Sequence, residues 1–237
     1  MASPASVSTA AADRPNMPGA ASTPRRPSPR RGEARAALMQ AALSLVAREA
    51  NFSALSLRQV AREAGVVPTA FYRHFADMDA LGLTLVEDTF AELRTLLRDA
   101  DLPSLPLKGM TRYAVSLFAY HVRDRRLLFQ FLVKERFAGT VPIRRAIDAE
   151  IDSLVIELAR DFGHFDTFGS ITDEDLQMIA GLVVNAIIAL SERILDVDPD
   201  AAENAALMLR AEKQLRLIFL GVGRWQSQPD DDAAPGD

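Results

Sequence analysis

The chain has no cysteine among its 237 residues. Disulfides, cysteine-based zinc sites and thiol nucleophiles are therefore excluded, and a reducing, cytoplasmic setting is expected. Histidine is scarce too. His74, His121 and His164 lie far apart and show no H-E-x-x-H spacing, so no metal site is expected. No G-x-S-x-G string, Walker A loop or strand-linked G-x-G-x-x-G string occurs. Isolated Ser and Asp residues have no base or orienting partner within sequence reach. The chain is read as a non-enzyme that carries no cofactor. No apolar run looks long enough to span a bilayer, so membrane insertion is not expected. The first thirty residues contain no apolar h-region, so no secretory signal is expected. Sustained apolar–polar alternation is missing, and no repeat stands out. The fold class is therefore expected to be all-α.

What is present is an ordinary globular composition with an uneven charge. Hydrophobic residues make up 49% and charged residues 25%, enough for a buried core in one or two domains. The net charge of -5 hides an asymmetry. Residues 1–75 hold ten Lys/Arg against four Asp/Glu, whereas the rest holds seventeen against twenty-eight. A basic first third on an acidic body suits contact with a polyanion. A chance imbalance of surface charge would look the same.

Residues 1–31 are rich in Ala, Ser and Pro and cannot bury enough surface to offset their ordering entropy, so they read as a disordered tail. Arg25, Arg26, Arg30 and Arg31 close it as a basic cluster. This is either an arm for DNA phosphate or a solvated tail. Residues 32–78 read as a compact three-helix unit. The first helix is expected over 33–50, with Ala34, Leu38, Ala41, Ala42 and Leu45 on one apolar face. Asn51 suits a left-handed position after it. Ser56-Leu57-Arg58-Gln59 matches a capping box and starts the second helix, with Leu57, Val60, Ala61 and Ala64 turned inward. Gly65 supplies the free φ of a sharp turn. Pro68 fits the first position of a third helix, expected to run to about Phe75. Phe71 and Phe75 are an i, i+4 core pair.

That leaves polar and small side chains on the outside of the third helix. A short helix can enter the major groove by its N-terminal residues. Thr69 and Ala70 are small enough to approach base edges and thymine methyl groups. Tyr72 and Arg73 offer donors to phosphate oxygens, and Arg58 can reach the backbone across the groove. The candidate DNA-binding set is Arg31, Arg35, Ser56, Arg58, Pro68, Thr69, Ala70, Tyr72, Arg73 and His74. A three-helix packing unit with solvated charges is the competing reading.

Residues 79–227 read as a second, wholly helical unit, and 228–237 as an acidic, disordered tail. Helices are expected over 79–100, 108–122, 124–137, 140–164, 172–196 and 200–226. Two of them are apolar on more than one side, a sign of burial between two neighbours. In 172–196, Gly181, Val184 and Ile188 add a second apolar side to that of Ile179, Leu182 and Val183. In 200–226, Leu215 and Phe219 belong to the same kind of pattern. A homodimer through a four-helix interface follows, with Gly181, Val184, Ile188, Leu215 and Phe219 as candidate contacts. A larger core within one protomer would give the same pattern. Val86, Phe90, Phe118, Phe129, Leu132, Leu154, Leu158 and Val184, with Leu83, Tyr120 and Phe131 nearby, either line an apolar ligand pocket or simply fill a core. Lys134, Arg136, Arg144 and Arg145 form a basic group that suits a phosphorylated carrier or plain solvation.

Residues 33–81 resemble the DNA-binding domain of the TetR family of bacterial regulators. The resemblance is carried by Leu57-Arg58-Gln59-Val60-Ala61, Ala64-Gly65-Val66 and Phe71-Tyr72-Arg73-His74-Phe75. Many members have a polar N-cap where Val67 stands and a lysine where Met78 stands. The string Val67 to Phe75, with Asp79 to Thr84 and Phe131-Leu132-Val133-Lys134-Glu135-Arg136, is similar to the repressors of unsaturated fatty acid synthesis within that family. The resemblance implies a dimeric repressor of fatty acid genes on a palindromic double-stranded operator. It also implies an effector in the second unit, a long-chain acyl-CoA or an acyl carrier thioester. A regulator of the same fold with another small apolar effector, a drug or an aromatic, is the alternative, and a helical scaffold that does not bind DNA is a further one.

Overall fold

The computed structural model describes residues 31–48, 51–100, 107–165, 168, 171–225 and 227. The expected tails, 1–30 and 228–237, and the side chain of Arg31 lie outside the described residues. The fold is all-helical: among the described residues the elements are α1 (Arg31–Arg48), a 3-10 turn (Phe52–Ala54), α2 (Leu57–Glu63), α3 (Pro68–Phe71), α4 (Met78–Asp99), α5 (Leu107–Asp124), α6 (Arg126–Ala138), α7 (Val141–Gly163), α8 (Asp173–Asp196) and α9 (Ala202–Val222).

The head, α1 to α3, forms for local reasons. Leu38, Ala42 and Val46 stack along the inner side of α1 and are fully buried, a 3.6-residue spacing that gives the helix one apolar stripe. Val60, Ala61, Phe71 and Phe75 close the same core from α2 and α3. At the start of α2 the capping box is present. Ser56 Oγ accepts from the Gln59 N–H at 3.3 Å, and Gln59 Oε1 accepts from the Ser56 N–H at 2.8 Å, so two otherwise orphaned donors are satisfied. Gly65 has φ +70°, a left-handed value that carries the chain from α2 toward α3. The regular part of α3 is shorter than expected. After Phe71 the chain continues in turns, with His74 N–H donating to the Phe71 carbonyl at 2.9 Å. Asn51 is extended (φ -141°), not left-handed. The chain leaves α1 through the 3-10 turn, which Phe52 anchors in the core.

The body is a bundle in which α7 packs against both α4 and α8, and α9 packs against α5 and α8. Arg94 of α4 donates to Glu150 at 2.8 Å and to Glu157 at 2.9 Å, clasping α4 to α7. Arg123 donates to Asn204 Oδ1 and Arg126 to the Leu195 carbonyl, each at 2.6 Å. These bonds fix the α5–α6 corner against α8 and α9.

Helix α8 corrects the expectation about apolar runs. It is long and apolar enough, by length and composition, to cross a membrane, and 44% of that stretch is buried in the protein. Its buried residues, from Leu176 to Leu195, pack in the core. Glu192 and Arg193 near its end interrupt the apolar string in the sequence.

Head and body meet where α4 begins. Asp77 caps α4 by accepting from the Ala80 N–H at 2.8 Å, and Thr140 Oγ1 donates to Asp79 at 2.9 Å. One turn later Gly82 is buried between them. A Cβ there would stand 2.5 Å from Ile143 Cδ1 and 3.0 Å from Phe52 Cε1. Both neighbours are themselves buried. Gly82→Ala should therefore lower stability by about 1–3 kcal/mol, the usual cost of overpacking a filled core. Thermal unfolding checks this; an unchanged midpoint would show that Ile143 and Phe52 move aside freely.

Candidate nucleic-acid interface and apolar cavity

The outer side of the head carries the expected polar set. Arg58, Pro68, Thr69 and Arg73 are exposed, Ala70 and His74 are half-buried, and Tyr72 is 65% exposed although it is an aromatic. Phe71 beneath it is fully buried and meets Tyr72 edge to face at 6.0 Å. Phe71 and Phe75 hold α3 to the core while Tyr72 and Arg73 are turned outward. Pro68 occupies the first position of α3, and no side chain caps that helix at Val67.

Two members of the candidate set have local partners. Ser56 donates its hydroxyl to Gln59 and accepts from the Gln59 N–H, so it shapes the start of α2. The Arg35 guanidinium lies over the Phe75 ring at 5.7 Å and 3.8 Å from Asp88. It is held against the turn after α3 and against α4, with nearly half of its side chain still exposed.

The body encloses an apolar cavity of about 890 Å³, at the upper end of the range for small-molecule sites. Its wall comes from α4, α5, α6, α7, α8 and α9. Of the expected pocket residues, Phe90, Phe118, Phe129, Leu132, Leu154, Leu158 and Val184 line it. Val86 does not; it is fully buried in packed core. Phe131 packs edge to face on Phe52 at 5.5 Å, and Tyr120 is 68% exposed. Residues not anticipated include Leu93, Leu97, Val133, Ile147, Ile151 and Phe165. Their helical spacing marks them only as apolar. Near the end of α7, Phe162 and Phe168 stack at 5.3 Å with an interplanar angle of 7°. Arg98, Asp161 and His164 are both exposed and part of the wall, so they mark where the cavity reaches solvent.

The expected interface residues need correction. Val184 and Leu215 are buried within the protomer, and both line the cavity together with Ile188 and Phe219. Gly181 is half-buried. A side chain that already fills one protomer's interior is not available to a second. The exposed apolar residues of the same helices are Met178 and Leu182 on α8 and Leu209, Leu217 and Leu220 on α9, with Leu217 reaching 72% exposure. Both helices are apolar on two sides, as expected, but the inner side belongs to the cavity.

The basic group on α6 and α7 is also sorted by its contacts. Lys134 donates to the Val46 carbonyl at 2.6 Å and Arg144 to the Gly139 carbonyl at 2.7 Å. Arg136 enters the cavity wall and lies over the exposed Phe137 ring at 5.5 Å, and Arg145 is exposed.

Residues 38–83 match the family described as bacterial regulatory proteins, tetR family. The fold of the chain is similar to that of a Syntrophomonas wolfei protein assigned to the TetR-family transcriptional regulators. The TM-score is 0.64 at 14% identity, over 83% of this chain and 97% of that one. It is also similar to the transcriptional regulator FadR of Bacillus subtilis in complex with stearoyl-CoA (TM-score 0.62, 14% identity, 78% and 98% covered). A third is the fatty acid degradation regulator FadR of Bacillus halodurans (TM-score 0.57, 15% identity, 79% and 95% covered).

Outward placement of Tyr72 and Arg73 gives a test. Arg73→Ala should weaken binding to duplex DNA and lower the slope of log affinity against log salt by about 1, the signature of one lost phosphate contact. Tyr72→Phe should weaken binding with a smaller change of slope. Equilibrium titrations at several salt concentrations read both. Unaltered affinity in both variants would move the interface off α3.

Proposed function

Taking residues 38–83 as the DNA-binding domain of a TetR-family transcriptional regulator, we propose that the chain is a dimeric repressor that responds to a long-chain acyl thioester. The observation that carries this reading is the course of α4. Its first turns, at Leu81 and Gly82, are buried at the head, and its later residues, from Phe90 to Ala100, form cavity wall. One rigid helix thus belongs to both sites. A ligand that prefers one position of that helix shifts the equilibrium between two placements of the head.

The cavity supports an acyl chain over a polar effector. Its wall is mostly Leu, Ile, Val, Phe and Met, and its volume suits a long aliphatic chain. The similarity in fold to a regulator bound to stearoyl-CoA points the same way. Arg136, at the cavity wall, and Arg145 are the basic residues we assign to the phosphate end of the effector. Genes of fatty acid metabolism, with the unsaturated branch suggested by the Val67–Phe75 string, are the proposed targets. The alternative is a TetR-like regulator for a different small apolar molecule, which the same wall would accept.

Two copies would pair through the exposed faces of α8 and α9. Met178 and Leu182 follow each other at i, i+4, and Leu217 and Leu220 at i, i+3, so each pair forms a stripe on one side of its helix. Pairing two such stripes about a two-fold axis gives a four-helix interface and sets two heads at a fixed spacing. A palindromic operator with half-sites about one helical turn apart, or a multiple of it, would match that symmetry.

The effector reading is tested with a duplex selected by the protein from fragments of its own genome. Stearoyl-CoA and oleoyl-CoA should each change DNA affinity, by about 5- to 150-fold for a typical coupling, while coenzyme A alone should not. No response to either acyl thioester would sink the lipid reading, and a response to aromatic drugs instead would establish the alternative. For the dimer, Leu217→Glu and Leu182→Glu should each yield monomers in sedimentation velocity. If both variants remain dimeric, the interface lies on another face.

A further inference from the structure

Helix α6 has two sides with different neighbours. Phe129, Leu132, Val133 and Arg136 face the cavity. On the other side, Phe131, Lys134 and Glu135 meet the head. The Phe131 ring packs on Phe52, Lys134 Nζ donates to the Val46 carbonyl, and the Phe52 N–H donates to Glu135 Oε1 at 2.8 Å. Val46 belongs to the last turn of α1, and Phe52 opens the 3-10 turn. Consecutive residues of α6 therefore hold the chain on both sides of its exit from α1.

Glu135 is the unusual member of this contact. Its side chain is fully buried. Burial pushes its carboxyl above the ordinary glutamate value, and the Phe52 N–H bond and the Lys134 ammonium pull it back. Oε2 has no hydrogen-bond partner. It lies against Gly139, where a Cβ would stand 3.1 Å from Oε2 and collide with the Glu135 carbonyl. A buried carboxylate is a poor way to fill space, since an apolar side chain of similar volume commonly keeps or raises stability. What a carboxylate does and a leucine cannot is accept one N–H at one point.

We propose that Glu135 is a positioning residue. Its bond to the Phe52 N–H sets the angle of the head on α6, so that a shift of the cavity side of α6 is passed to α1, α2 and α3. The functional consequence rests on the reading of the cavity as an effector site. The angle itself is measurable without effector or DNA. Because the chain has no native cysteine, Arg62→Cys on α2 and Ala149→Cys on α7, both exposed positions, give two clean spin-label sites. Labelled chains are diluted into an excess of unlabelled chains, so that only the head-to-body distance within one protomer is read.

The background protein and Glu135→Gln, which keeps an acceptor, should each show one narrow distance distribution. Glu135→Leu should melt no lower than the parent yet show a broadened distribution. On the selected duplex it should bind about tenfold more weakly, the scale of one well-placed hydrogen bond. Glu135→Met replaces the leucine variant if that one does not fold. A narrow distribution in the apolar variant overturns the proposal. So does a broad one in Glu135→Gln, which would make charge the cause, and so does a failure of both apolar variants to fold, which would make Glu135 a stability residue. If the parent binds no duplex at all, the DNA reading falls while the distance result stands.

Discussion

At Gly82 the backbone of α4 touches both halves of the molecule at once. Phe52 comes to it from the head and Ile143 from the body, and both occupy the space a side chain would need. Three segments distant in sequence therefore converge on a position with no Cβ. Packing this close has little slack, because core side chains respond to a displacement of even one methyl group. The polar bonds around it are directional: Thr140 to Asp79, the Asp77 cap, and Phe52 to Glu135. Apolar contact brings head and body together, and these bonds choose the angle.

The cavity lies on the far side of the same contact. Its wall takes residues from α4 and α6, the two body helices that also meet the head. An apolar space of about 890 Å³ forgoes the dispersion contacts that a solid core would make. An occupant that supplies them stabilises whichever arrangement of α4 and α6 fits it best. The proposed affinity for an apolar chain and the proposed leverage on the head thus share one geometry.

Much of the head was legible from sequence because its signals are local. A capping box needs Ser56 and Gln59 three residues apart, a left-handed turn needs Gly65, and a buried pair needs Phe71 and Phe75 at i, i+4. Asn51 misled because its residue type tolerates a left-handed turn, whereas the 3-10 turn that follows is set by burial of Phe52. The body was legible as helices and less so as a site. Periodicity finds an apolar face but does not say what it meets. The same pattern describes Val86 in solid core, Phe90 on a cavity wall and Leu182 in solvent. The same spacing suits a contact between protomers and a cavity wall, and Val184, Leu215 and Phe219 line the cavity. Glu135 stands in the Phe131–Arg136 string that carries the family resemblance, but its burial left no signal, since an acid between a lysine and an arginine reads as part of a solvated helix.

Helix α8 carries Val183, Val184, Ile187 and Ile188 into the cavity and leaves Met178 and Leu182 on the outside. The helix is about 10 Å across with its side chains, so little more than its own width separates the two environments. Drift toward a new ligand is then unequally constrained across the wall. Substitutions on the cavity side of α5 reshape the cavity without moving that stripe, whereas α7 also carries Ile143, which packs at the junction of head and body. A substitution on α8 that tilts or rotates the helix also moves the outer stripe, and so would alter the proposed dimer along with the cavity. Of the wall, α5 is then the part freest to change, while α7 is tied to the head and α8 to the outer stripe.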